Sequence, residues 1–178
     1  NYGGDIKLHR EEDSVTKLEN LDSESAYQDA INAIQKVIDS YEVVNQINAS
    51  DIRDGVNVNT DDRGYGRVVV DTSVSGESIE FGNYYILNGD KSNEIKAQQK
   101  DINPEKVVWD FGSYSGNIIL KNFVGVLCAP NANVDIAGTS EGQVICDTFK
   151  NSGGEWHATS CEMEWNYSTE YRTRDELY

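Results

Sequence analysis

Basic residues are scarce in this 178-residue chain: 15 Lys and Arg stand against 31 Asp and Glu, a formal net charge of −16. A surface of that sign repels phosphate backbones, so nucleic acid is not an expected partner, and it disfavours anionic membranes. No apolar run is long enough to span a bilayer, so this segment is not expected to insert into one. Histidine is nearly missing, with only His9 and His157. No Gly-x-Ser-x-Gly elbow, phosphate-binding Gly loop or His-Glu-x-x-His run occurs, and a non-enzyme is expected. There are two Pro and one Met. Cysteine is limited to Cys128, Cys146 and Cys161, an odd count that allows at most one intramolecular bridge and fits no zinc spacing. The chain opens on Asn1 without a basic-then-apolar leader, which reads as a piece cut from something longer and says nothing about location. Its length suffices for a single domain, residues 1–178, with a real core.

What is present is organised around Val107 to Glu155. Short apolar runs there are separated by Gly, Asn and Pro, the punctuation of strands. Val126-Leu127-Cys128 and Val144-Ile145-Cys146 read as one phrase repeated at 18 residues, each shortly after a Gly. Such a repeat suggests successive turns of one coil with like residues stacked. In that stacking Cys128 and Cys146 point the same way, about 4.8 Å apart. Directly stacked strands hold β-carbons slightly wide for a relaxed disulfide, so small buried thiols are the simpler reading. Cys161 follows the last coil and could fold back to either, which leaves one bridge or none.

Four elements in this region carry a resemblance. They are Trp109-Asp110-Phe111; Gly125-Val126-Leu127-Cys128-Ala129-Pro130-Asn131-Ala132; Gly142-Gln143-Val144-Ile145-Cys146; and Gly154-Glu155-Trp156-His157. In content and order, Val107 to His157 resembles the choice-of-anchor A domain of bacterial surface proteins. Cys128 departs from that pattern, and Cys146 stands where a small Ala is usual. The Leu-Ala-Pro turn is also similar to that of ice-binding β-solenoid proteins. The resemblance implies a mainly β fold, a β-solenoid with one long helix along its side. It also implies an extracellular, oxidising location, anchored to a cell surface through segments outside this sequence. The motif residues Trp109, Phe111, Gly125, Pro130, Asn131, Gly142, Glu155 and His157 are then structural.

Residues 1 to about 20 are polar and read as an entry strand, an ordered arm or a frayed end. The helix is expected over about 22–42. Asp22 and Ser23 are good N-caps, and Tyr27, Ala30, Ile31, Ile34, Val37, Ile38 and Tyr41 form one apolar stripe. Ile31, Ile34 and Ile38 are its expected core contacts. Period two takes over near Gly55, and solenoid strands are expected over about 55–160. Residues 91–105 read as a loop, and 161–178 as a terminal strand, a cap or a linker.

Glu155 and His157 share one strand face, which suits hydrogen bonds closing the last coil better than acid–base chemistry. Calcium is the only metal with candidate ligands: Asp61-Asp62, Asn88-Asp90, or Asn131-Asn133-Asp135. None matches an EF-hand or nonapeptide pattern, and no cofactor is expected. Pro130-Asn131-Ala132-Asn133 reads as a corner between strands. The expected function is an extracellular binding or adhesion module whose partner is a host matrix protein or a surface glycan. The alternatives are an ice-binding protein, against which stands the lack of any Thr-x-Thr, and a carbohydrate-active β-helix enzyme, which needs a defined carboxylate pair.

Overall fold

The computed structural model describes residues 23–73, 76, 78–82, 85–98 and 106–158. The chain divides into two compact units, residues 1–40 and 41–178.

In the first unit, the 3.6-residue stripe forms helix α1, Ser23–Asp39, somewhat shorter than expected. It stops because Ser40 turns back on the last turn, its N–H and its hydroxyl both donating to the Val37 carbonyl at 3.1 and 2.6 Å. Among the three expected core residues only Ile38 is buried, at 2% exposure; Ile31 and Ile34 are half-buried.

The second unit is mainly β. Its strands are β1 (Val44–Asn48), β2 (Val56–Val58), β3 (Gly66–Asp71), β4 (Ser78–Phe81), β5 (Tyr85–Leu87) and β6 (Glu94–Ile95). They continue with β7 (Val107–Asp110), β8 (Asn117–Leu120), β9 (Val124–Ile136), β10 (Ser140–Asn151) and β11 (Trp156–Ala158). A 3-10 turn, Ala49–Asp54, separates β1 from β2. Two features depart from expectation. Strands begin at Val44 rather than near Gly55, and the hydrophilic stretch after residue 90 holds the short strand β6.

Eight strands make one large parallel sheet, curled into a half-barrel. A first stack runs β1-β3-β7-β9-β10-β11, and a second runs β4-β8 into the far halves of β9 and β10. In the first stack Val108 lies opposite Val126, Val126 opposite Gln143, and Ser140 opposite Trp156, steps of 18, 17 and 16 residues. A second, three-stranded sheet pairs β2 with β5 in parallel and β5 with β6 antiparallel.

Side chains alternate faces along each strand, so like positions align in rows across the stacks. Val68, Trp109, Leu127 and Val144 form one inward row, and Ile79, Ile118, Val134 and Phe149 another. Inside, Trp109 meets Phe81 edge-on at 5.0 Å and Tyr85 at 5.5 Å, and Phe81 meets Phe123 at 5.1 Å. Each such buried side chain contributes about 1.5–3 kcal/mol. Asn45 breaks the apolar pattern at the head of the first inward row. It is satisfied there by donating to the carbonyls of Asn59 (2.9 Å) and Arg67 (3.1 Å) and accepting from the Asn59 N–H (2.8 Å).

Candidate binding face

The motif residues are structural, as expected, and most are inaccessible. Trp109 and Phe111 are buried in the aromatic core at 1% and 2% exposure. The Phe111 N–H donates to the Cys128 carbonyl at 2.9 Å, tying the Trp-Asp-Phe element to the next pass of the chain. Gly125 and Gly142 lie opposite each other with φ of +141° and +128°. A β-carbon on Gly142 would overlap the Gly125 carbonyl oxygen; one on Gly125 would lie 2.8 Å from the Val107 carbonyl oxygen and 3.0 Å from the Trp109 ring. These glycines let three successive passes approach closely just where Trp109 fills the interior.

Pro130 and Asn131 do mark a corner, although β9 is continuous through them. The partner of β9 changes from β7 to β8 there, and the register against β10 shifts between Cys146 and Thr148. The strand bends from the first stack into the second at this irregularity.

The register corrects the expected stacking of the cysteines. The step between β9 and β10 is 17, not 18, so Cys128 faces Ile145 and Cys146 faces Ala129. One residue of slip reverses which face a side chain takes. Cys146 packs against the inner core, whereas Cys128 lies on the outward row beside Asp110 and is also buried. Both are free thiols, and a Cys128–Cys146 bridge is sterically excluded. Burial, helped by the Asp110 carboxylate, pushes the Cys128 thiol up to about 12. Cys161 and His9 lie outside the described residues.

At the last coil Ser140 donates its N–H to the Glu155 carbonyl at 2.9 Å, so backbone rather than the acid side chain closes this turn. The Glu155 carboxylate is mostly exposed, with its Oε1 3.4 Å from His157 Nε2. His157 aligns across the ladder with Glu141.

The oxygens considered for calcium already hold turns and cross-strand links. Asp61 accepts the N–H groups of Arg63 (2.9 Å) and Tyr65 (2.8 Å), and the Tyr65 N–H is the main cause lowering its pKa. Asp90 accepts from the Ser92 hydroxyl at 2.7 Å and its N–H at 2.9 Å, and Asn88 accepts the Thr60 N–H at 2.8 Å. Among the described residues no three His, Cys, Asp or Glu side chains converge as a metal site.

The outward side of the second stack is a regular exposed surface. Ser78, Asn117, Asn133 and Thr148 align in one row, and Glu80, Ile119, Asp135 and Lys150 in the next. Rows of this kind repeat about 4.8 Å across strands and 6.6–6.8 Å along them. Asn133 Nδ2 donates to Asn117 Oδ1 at 3.3 Å, and the Thr148 hydroxyl donates to Asn133 Oδ1. Lys121 reaches Glu80 at 2.8 Å and Lys150 reaches Asp135 at 3.0 Å. The Ser152 hydroxyl, followed by Lys150, holds the Asp135 carboxyl below its ordinary range. Cross-strand bonds between short side chains fix these groups in place, and the mixed charges neutralise one another locally. Sequence reasoning missed this face because its residues recur at 15–16 and 39 residue spacings that no local pattern displays.

The profile of a family described as "Putative Ice-binding-like adhesive domain" matches residues 11–158. The chain belongs to that family. The match to the ice-binding-like adhesive domain runs through the whole parallel sheet, including all four motif elements. No curated protein and no solved structure matches the chain.

Proposed function

We propose that this ice-binding-like adhesive domain is an extracellular attachment module of a cell-surface protein, one that binds its partner without transforming it. Membership of an adhesive family over residues 11–158 carries this reading. The fixed polar rows of Ser78, Asn117, Asn133 and Thr148 beside Glu80, Ile119, Asp135 and Lys150 supply a flat contact surface for it. Parallel passes at steps of 15 to 18 residues support a β-solenoid as the architecture, and the Val107–His157 elements support a choice-of-anchor A-like domain within it. A matrix protein or a neutral surface glycan is the partner class compatible with a net charge of −16.

A glycan and matrix-protein array, run with and without calcium, tests the proposal. Binding is expected on at least one array class. It should be lost in Asn117→Arg and Asn133→Arg, which block the face, at unchanged melting temperature. Turnover of a bound glycan that disappears in Glu155→Gln or His157→Ala would overturn the non-enzymatic reading. The family's name also raises ice binding. Thr148 is the one threonine in the two rows, and ice shaping at micromolar protein would establish that alternative instead.

A further inference from the structure

The parallel stack is open at its last pass. Over Ser140–Gly142, β10 is paired on its outer side by β11, but the far half, Thr148–Asn151, has no partner on that side among the described residues. The inward row it completes is buried throughout at Ile79 (3%), Ile118 (0%) and Val134 (1%), yet Phe149 in the same row is 52% exposed. Its ring meets only one aromatic neighbour, Trp156, edge-on at 6.2 Å. A free parallel edge with an exposed aromatic on its core row invites one more strand.

We propose that this edge is filled by Met163–Tyr167 of the same chain. Twenty residues follow Ala158 in the sequence, enough for one further half-pass. They lie outside the described residues, and the argument rests on the edge and on their order. The step from β10 to β11 is 16, Ser140 facing Trp156. Carried forward, it sets Trp165 opposite Phe149, Glu164 opposite Thr148 and Asn166 opposite Lys150. The stretch Met163-Glu164-Trp165-Asn166-Tyr167 alternates apolar and polar at period two, and its apolar set falls on the inward side in this register. A step of 15, as between β9 and the far half of β10, would turn Glu164 and Asn166 inward and Trp165 to solvent. The pattern therefore selects 16. The occupant stacks Trp165 over Phe149, brings Glu164 diagonal to the exposed Lys150, and closes an edge that would otherwise pair with another molecule.

Amide hydrogen exchange over Thr148–Asn151 tests the assignment, comparing the 178-residue chain with one ending at Ser160. The edge-facing amides are expected to exchange at least tenfold more slowly in the full chain. That protection should be lost on truncation and in Trp165→Asp, and kept in Glu164→Ala, whose side chain points outward. Equal exchange in the full and truncated chains would overturn the proposal. So would equal loss in Trp165→Asp and Glu164→Ala, or protection that fades on dilution, which would put a second copy at the edge.

Discussion

At the scale of single residues, the closest tolerances are backbone against backbone. Gly142 holds φ +128° with its Cα against the Gly125 carbonyl. A methyl group there meets both a left-handed backbone penalty and an overlap with a strand that cannot withdraw. Gly142→Ala is expected to destabilise the unit by about 3 kcal/mol, measured by denaturant unfolding. Gly76, whose β-carbon would meet nothing within 4 Å, is the control and should change little as Ala. The cysteines make a second test. With its thiol pushed up to about 12, Cys128 is expected to resist alkylation in the native protein at neutral pH. The less buried Cys146 should react first, and both should react fully after unfolding. Peptide mapping of labelled native protein decides this; rapid native labelling of Cys128 would contradict the register given for β9 and β10.

At the scale of elements, burial grades the helix more finely than its periodicity does. Ile38 is 2% exposed while Ile31 and Ile34 are half-buried, so the stripe is not uniform. Ile38→Asp is expected to lower the melting temperature clearly more than Ile34→Asp, because an uncompensated carboxylate is costlier the drier its site. Equal effects would show that the stripe is buried evenly. Helix α1 and the Gly-punctuated strands were legible because each has a local period. β1 was not, because Asn45 stands on its inward row and needs Asn59 and Arg67, 14 and 22 residues away, to satisfy it. Strand β6 was hidden in a hydrophilic stretch for a similar reason: its pairing with β5 follows the turn at Asn88-Gly89, with φ of +55° and +71°.

At the scale of the whole molecule, excess acid is partly organised. Asp61, Asp71, Asp90, Asp135 and Glu80 all have lowered pKa values, each chiefly through hydrogen bonds to the carboxylate. A carboxyl lowered in the folded state contributes stability that is fully present above its unfolded value, about pH 4. That contribution is lost as pH falls through the folded values. Stability is therefore expected to hold from neutral pH to about pH 5 and to fall below about pH 4, as thermal melts across that range would show. Added salt should weaken the exposed Lys150–Asp135 and Lys121–Glu80 links without unfolding the sheet, since such pairs contribute little individually.

The sequence by itself determined the helix, the strand-rich character, the order of the four motif elements and the glycines that let passes stack. Those features depend on local periodicity and on steric limits of single residues. Tertiary structure alone decided the register. The repeated Val-x-Cys phrases suggest a step of 18, but the stacked pair Gly125 and Gly142 and the bend near Pro130 impose 17. That single residue sends Cys128 outward and Cys146 inward. It also assembles the Ser-Asn-Asn-Thr row from four strands distant in sequence. Which residues share a face depends on contacts between passes, and nothing within one pass encodes the step to the next.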